Sequence, residues 1–139
     1  MKMITKNLLL FSFFMGLGAV IFRYLMSAFL SESAFESVWV LAAVYFLYNF
    51  LIGWYYGKKD YESLPLYDVG FRFHTATFFI FNFVSFLWFF SGAHSVYESV
   101  DQLYYMALFW GIGLAVHFIL YMLARKKTIK GLNKEELFD

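Results

Sequence analysis

The stretch Gln102–Arg125, QLYYMALFWGIGLAVHFILYMLAR, decides the fold of this chain. It carries no charged residue before its last position, and an α-helix needs roughly 20 predominantly apolar residues to cross the bilayer core. Three further apolar runs of similar length lie at Leu8–Leu30, Glu36–Gly57 and Phe71–Ser91. The four runs predict four transmembrane helices.

The composition of the whole chain also excludes an ordinary soluble domain. Hydrophobic residues make up 62% of the 139 residues and charged residues only 15%, whereas soluble proteins average about 45–50% and about 25%. A chain this short has too little interior to hide so much apolar surface from water. The sequence contains no cysteine, which excludes disulfides and thiolate metal sites. We therefore expect an all-α integral membrane protein.

Lysine and arginine are distributed unequally between the connectors. Apart from Arg23, they precede the first span, lie between the second and third or at the start of the third, or lie at the end of the fourth or after it: Lys2, Lys6, Lys58, Lys59, Arg72, Arg125, Lys126, Lys127, Lys130 and Lys134. The connectors Ser31–Phe35 and Gly92–Asp101 contain neither. Positive residues favour the cytoplasmic side, and short connectors join antiparallel neighbours. The pattern predicts a four-transmembrane antiparallel helix bundle with both termini in the cytoplasm.

The same pattern divides the chain into four segments. A first helix pair covers residues 1–57, and a cytoplasmic connector covers residues 58–70. A second helix pair covers residues 71–127, and a short charged tail follows over residues 128–139. The tail is too small to be a catalytic domain, so we expect the protein to act within the bilayer, at its surfaces or through a partner.

Three polar residues inside the spans are candidates for internal contacts. We expect Arg23 to extend toward the outer end of the first span and to pair with Glu32 or Glu36; an internal ion pair or an anion site is the alternative. Asn49 and Asn82 lie well inside the second and third spans, where a buried amide commonly bridges helices through hydrogen bonds. Arg23 and Asn49 are thus the candidates for an internal polar or ion pair.

Two histidines, His74 and His117, lie at similar depths in the third and fourth spans. Each is about one to two turns from the cytoplasmic end of its span, so adjacent antiparallel helices can bring the two rings close. We expect neutral imidazoles that hydrogen-bond to a neighbouring helix. Haem ligation, a metal site and a proton-sensitive switch are the alternatives. His94, in an outer connector, is expected to be solvated.

Small residues recur along the fourth span. Ala107, Gly111 and Ala115 follow one another at intervals of four, a spacing that lets another helix approach closely. Gly113 lies four residues before His117, on the same side of the helix. We expect this glycine to open space beside the histidine ring.

Two short motifs carry a family resemblance. FRFH at Phe71–His74 is followed by Asn82 in the same span, and WGIGLAVH lies at Trp110–His117. With these motifs the segment 72–127 resembles the 2TM domain, a bacterial family of paired membrane helices. The helix pair before it lies outside the usual two-helix unit, and the connector Gly92–Asp101 is more polar than this family leads us to expect.

The resemblance implies a location and a regulatory context but no activity. The family is associated with membrane regions of histidine kinases and with LytTR-type regulatory systems, which implies a bacterial inner (cytoplasmic) membrane. Its characteristic positions, here expected to form the contact between the two helices, are His74, Asn82, Trp110, Gly111, Gly113 and His117.

Together these observations favour a regulatory, sensory or accessory membrane protein that works through helix packing. Its partners would be the lipid bilayer and a second copy or another membrane protein such as a sensor kinase. The spans hold no nucleophile–base set or carboxylate pair, so we expect no enzyme, and a basic tail beside a membrane favours lipid over nucleic acid. The alternatives are a haem-binding or redox accessory subunit that uses His74 and His117, and an oligomeric channel or pore.

Overall fold

The computed structural model describes residues 4–63 and 69–131, and side chains over 4–62 and 69–123. Within those ranges it consists of four α-helices, namely α1 (Lys6–Ser31), α2 (Phe35–Ser63), α3 (Val69–Phe90) and α4 (Val100–Gly131). Each contains a stretch that is long and apolar enough to cross a membrane. The predicted all-α fold of four apolar helices packed antiparallel is confirmed.

Two of the helices extend beyond the predicted spans. α2 continues through Lys58 and Lys59 to Ser63, so the first part of the predicted connector is helical. α4 continues to Gly131 and includes the start of the predicted tail. Lysine and arginine favour helix, so a helix need not end where its apolar run ends. Several of the positive residues used to predict the orientation lie outside the described residues or side chains: Lys2, Arg125, Lys126, Lys127, Lys130 and Lys134.

The turn between α1 and α2 is a Schellman motif. The Ala34 N–H donates to the Phe29 carbonyl at 2.8 Å, and the Ser33 N–H donates to the Leu30 carbonyl at 2.9 Å. Ser33 adopts a positive φ of 57°, the left-handed conformation that this motif requires after a helix end. Because the last carbonyls of α1 are satisfied there, α2 starts at Phe35 and runs back along α1.

α1 is the central helix of the bundle. It packs against α2 and α3, whereas α4 packs only against α3 among the described residues. Phe11, Met15, Ala19 and Phe22 form one buried face of α1, since residues three or four apart share a side of a helix. This face meets Phe73 and other aromatic residues of α3.

α1 and α3 run in the same direction, as two intervening antiparallel connections require. The rings of Phe11 and Phe73 lie 4.7 Å apart. Farther along, the Trp88 indole N–H donates to Ser27 Oγ at 3.0 Å. Phe73 follows Phe11 by 62 residues, and Trp88 follows Ser27 by 61 residues. A nearly constant separation along two helices shows that they run in parallel.

α1 and α2 approach each other closely at Gly18. The Tyr48 hydroxyl donates to the Phe14 carbonyl at 2.7 Å, and its ring lies across Gly18, where an added Cβ would overlap the ring. Gly16 faces α3 instead, and a Cβ there would be 3.6 Å from Ile80, an ordinary contact distance.

We expect Gly18→Ala to destabilise the bundle, although alanine favours helix over glycine by about 1 kcal/mol. The added methyl overlaps the Tyr48 ring, so the ring must leave its packed position and its bond to Phe14 breaks. An interhelical hydrogen bond in a membrane is worth about 0.6 kcal/mol and at most about 1.7 kcal/mol, so the lost packing of the ring adds the rest of the destabilisation. Gly16→Ala is the matched control and should leave the melting temperature unchanged or higher. Thermal unfolding in a mild detergent compares the two; equal melting temperatures would contradict the assignment of Gly18 to a close contact.

Candidate functional site

The two histidines inside the helices contact each other. The ring centroids of His74 and His117 are 5.0 Å apart and their planes are inclined by 50°. Phe71 stacks beside them, with its centroid 6.1 Å from that of His117 and a plane angle of 20°. The antiparallel pairing of α3 and α4 brings these positions to one level, so the histidines form part of an aromatic contact between the two helices.

This contact does not have the form of a haem site with two histidine ligands. Two axial ligands of a haem lie on opposite faces of the porphyrin, with the iron between them. The rings of His74 and His117 instead meet directly and at a tilt. Within residues 4–63 and 69–131, moreover, no group of three or more histidine, aspartate or glutamate residues is placed to hold a metal ion.

Asn49 and Asn82 do not bridge helices, so that expectation is wrong. Each amide donates within its own helix to the carbonyl four residues earlier, that of Tyr45 at 2.7 Å and that of Phe78 at 2.8 Å. In any helix the carbonyl four residues earlier lies within reach of a short polar side chain, so the amide does not need a partner on a neighbouring helix. In both residues Oδ1 is buried and has no hydrogen-bond partner within the described part of the chain.

The side of α4 that faces α3 carries Trp110 and Gly111. The Trp110 ring is 5.6 Å from the Phe81 ring. A Cβ on Gly111 would lie 3.6 Å from the ring of Phe78. Gly111 therefore admits a large aromatic side chain of α3 rather than the backbone of another helix.

Gly113 and Ala115 lie on the outward side of α4, while Ala107 is half-buried. A Cβ on Gly113 would meet nothing within 4 Å. The expectation that Gly113 makes room for His117 is therefore wrong, because the histidine ring lies against α3. The small residues are divided between the contact with α3 and a face that the other described residues leave exposed.

Arg23 forms a buried ion pair with Glu98, which belongs to the connector between α3 and α4. Arg23 Nη2 lies 2.7 Å from Glu98 Oε1, and the two side chains are only 4% and 7% exposed. The expected pairing with Glu32 or Glu36 is wrong, because both of these residues are exposed and the connector folds back over α1.

Other groups complete this network, which we call the Arg23 cluster: Arg23, Ser27, Trp88, Ser95 and Glu98. Glu98 Oε2 accepts from the Ser27 hydroxyl at 2.7 Å and from the Ser95 backbone N–H at 2.8 Å. The indole of Trp88 in turn donates to Ser27. The cluster thus joins α1, α3 and the connector, and Asn49 takes no part in it.

A second buried carboxylate lies at the opposite end of α1. Asp60 of α2 is 2% exposed and accepts from Thr5 Oγ1 at 2.5 Å and from Asn7 Nδ2 at 2.8 Å. Thr5 also caps α1 by accepting from the Leu8 N–H at 3.0 Å. α1 is therefore held by a carboxylate from another part of the chain at each end.

A cleft of about 560 Å³ lies between α2 and α3, with α1 as its floor. Its walls are mainly aromatic, and its polar lining includes Tyr45, Asn49, His74 and Thr77. Gly57 of α2 also lines the cleft, and an added Cβ there would meet nothing within 4 Å.

Sequence reasoning missed Glu98, Asp60 and the cleft. The connector Gly92–Asp101 carries Glu98 and Asp101 and no lysine or arginine. This was a signal that one of its carboxylates could pair with Arg23. Asp60 follows two lysines and has the sequence context of a solvated residue. The cleft depends on how three helices diverge, and hydropathy does not report that.

We expect Glu98→Ala to destabilise the protein by about 3–5 kcal/mol, because it leaves the Arg23 guanidinium buried without its counter-charge. Glu32→Ala, at an exposed carboxylate near the same end of α1, is the matched control and should have little effect. Unfolding by denaturant in detergent micelles gives both values.

The double variant Arg23→Met, Glu98→Gln should recover most of that loss. It removes both charges and keeps a side-chain carbonyl that can accept from Ser27 and Ser95. If the double variant were as unstable as Glu98→Ala, the ion pair would not be the reason for the loss.

Comparisons with family models, with curated proteins and with solved structures found no match to this chain. The resemblance of residues 72–127 to the 2TM domain therefore stays a prediction.

Proposed function

We propose that this chain, a four-span helical membrane protein, has no catalytic activity and acts as a regulatory, sensory or accessory partner through helix packing. It associates with a second copy of itself or with a signalling membrane protein such as a sensor kinase. One observation carries the proposal. α4 is attached to the bundle through α3 alone among the described residues, and its other side is unoccupied.

The outward side of α4 has the shape that supports such an association. Gly113 and Ala115 lie among the exposed large side chains of Phe109, Ile112 and Val116, so the helix surface has a notch at Gly113. Lipid tails are as apolar as these side chains, so helices in a bilayer associate through close packing at small residues and through polar contacts. A notch of this kind accepts a ridge of a partner helix.

The predicted resemblance supplies the regulatory context of this proposal. The 2TM domain is associated with histidine kinases and with LytTR-type systems, which favours a signalling partner in a bacterial inner membrane. The unequal distribution of lysine and arginine supports an orientation with both termini in the cytoplasm.

The two alternatives receive less support. The direct contact of the His74 and His117 rings does not favour a haem-binding subunit; a Soret band after haem addition that is lost in His117→Leu would revive it. The centre of a single copy is filled by side chains such as Met15 and Ala19, both fully buried, which does not favour a pore within one chain. Conductance in planar bilayers would revive a pore between copies.

Cysteine labelling tests the proposed orientation, because the natural chain contains no cysteine. Val96 in the outer connector is 90% exposed, and Tyr61 near the end of α2 is 69% exposed. We expect a membrane-impermeant maleimide to label Val96→Cys in intact spheroplasts and Tyr61→Cys only after permeabilisation. The reverse pattern would overturn the orientation.

Enlarging the notch residue tests the proposed association. Gly113→Leu should leave the melting temperature of the isolated protein unchanged, because an added Cβ meets nothing within 4 Å. It should reduce association severalfold, measured as copies per particle and as crosslinks from a photoreactive residue at Val116 in native-lipid nanodiscs. Ala43→Leu, at an exposed small residue of α2, is the matched control. Single copies without crosslinks in the wild type would overturn the proposal.

A further inference from the structure

The contact between His74 and His117, which we call the histidine contact, joins two titratable side chains within the candidate membrane spans. Their ring centroids are 5.0 Å apart, and the sequence contains only three histidines. Histidine is the side chain that ordinarily takes up a proton between about pH 5 and pH 8. The two rings together can therefore carry no charge, one charge or two charges over this range of pH.

Protons have a route to the histidine contact from one end of α3. His74 is exposed and lines the cleft between α2 and α3 together with Val69 and Gly70, the first two residues of α3. The cleft therefore extends from the end of α3 to the imidazole of His74.

No acidic side chain among the described residues offsets a charge on the two rings. A carboxylate beside both histidines would make a group of three metal-binding side chains, and the described residues contain no such group. The one basic residue within four positions of either histidine, Arg72, is itself positive and lies on another side of α3 from His74. A charge on the histidines is therefore not neutralised by the described part of the chain.

The other titratable groups that face the histidine contact are tyrosines. Besides His74, the described lining of the cleft holds one titratable side chain, Tyr45 of α2, whereas α1 and α4 contribute only apolar or aromatic side chains to it. On α4, Tyr121 stacks on Phe71, which also lies against His117. Tyrosine is ordinarily neutral below about pH 8, so the histidines are the groups whose charge changes here.

The number of protons on the two rings determines whether the histidine contact is favourable. A single proton can be shared, because a protonated imidazole donates a hydrogen bond to a neutral one. A second proton places two like charges at the distance of this contact, 5.0 Å between centroids. Like charges so close in apolar surroundings repel each other. The contact therefore holds at most one proton, and a second proton favours separation of the rings.

α4 can move away from α3 at this level because α3 is its only neighbouring helix among the described residues. Farther along the pair, Tyr104 of α4 contacts Phe86 of α3 with ring centroids 5.5 Å apart. This second contact contains no histidine, so a proton does not weaken it. Separation is therefore expected only at the end of α4 that carries His117.

We propose that the histidine contact is a proton-sensitive link between α3 and α4. Rings that are neutral or share one proton hold the end of α4 against α3, and protonation of both rings releases that end. This regulation goes beyond the proposed association through α4 and does not rest on it, because the change takes place within a single chain.

Distances between two spin labels test the proposal, with single copies of the full chain in nanodiscs. The natural chain has no cysteine, so the labels attach only at Phe79→Cys of α3 and Leu123→Cys of α4, two exposed positions. We expect a short distance at about pH 8 and a distance longer by several ångströms at about pH 5. The ratio of short to long distances should fall roughly tenfold.

A second label pair reports on the other half of the two helices. Phe90→Cys of α3 and Ile112→Cys of α4 also replace exposed side chains. Their distance should be the same at both values of pH, because the contact of Phe86 with Tyr104 holds this half together.

Three substitutions assign the response to the histidine contact. His74→Phe and His117→Phe each keep an aromatic ring but leave one titratable group, so two like charges cannot form and the first label pair should stay close at about pH 5. His94→Phe is the matched control. His94 stacks on Phe89 in the outer connector, so this variant should respond to pH as the wild type does.

Any of three results would overturn the proposal. The first is a distance between Phe79→Cys and Leu123→Cys that is the same at both values of pH in the otherwise unchanged chain. The second is a response that persists in His117→Phe or disappears in His94→Phe. The third is an equal change in the second label pair, which would mean that acid unfolds the bundle as a whole.

Discussion

The ion pair between Arg23 and Glu98 is the interaction on which the arrangement of the helices depends. Apolar contacts with lipid and apolar contacts between helices are similar in free energy, so hydrophobicity alone does not select one arrangement. A charge inside the bilayer is different, because without a counter-charge it costs several kcal/mol. Glu98 lies in the connector between α3 and α4, so pairing it with Arg23 fixes that connector against α1.

The order of the helices follows from this constraint. α1 is held at one end by the Arg23 cluster and at the other by Asp60, and its apolar face is covered by α2 and α3. Among the described residues α4 packs only against α3, and its contacts there include those of His117 and Trp110. The described part of the chain thus combines three helices, with α1 fixed at both ends, and a fourth helix that has one neighbouring helix there. The open side of α4 and the cleft between α2 and α3 lie on different parts of this arrangement.

The helices were predictable from the sequence because length and hydropathy alone define a membrane span. Residues such as Lys58 did not end their helix, since a helix can continue beyond the hydrocarbon. The approach of His74 and His117 was also accessible, because depth along two antiparallel helices depends only on residue number. Helix length, hydropathy and depth in the membrane all depend on position along the chain, so one sequence is enough to predict them.

The contacts between helices were not accessible in the same way. The partner of Arg23 depends on how the connector between α3 and α4 folds. The sequence offers several carboxylates near that end of α1 and does not indicate which of them pairs with Arg23. Asn49 and Asn82 looked like bridges because a buried amide needs a partner, but their own helices supplied a carbonyl. The role of Gly113 depends on which side of α4 faces α3. Because α4 is apolar on all sides, its hydropathy does not indicate that side.

The 75 residues that separate Arg23 from Glu98 have a consequence for biosynthesis. At a synthesis rate of about 5–20 residues per second, Glu98 is made about 4–15 s after Arg23. During that interval the first two helices can insert as a hairpin that holds an arginine without its carboxylate. An α1–α2 hairpin inserted in this way would hold an unsatisfied charge until the connector between α3 and α4 brings Glu98 to Arg23.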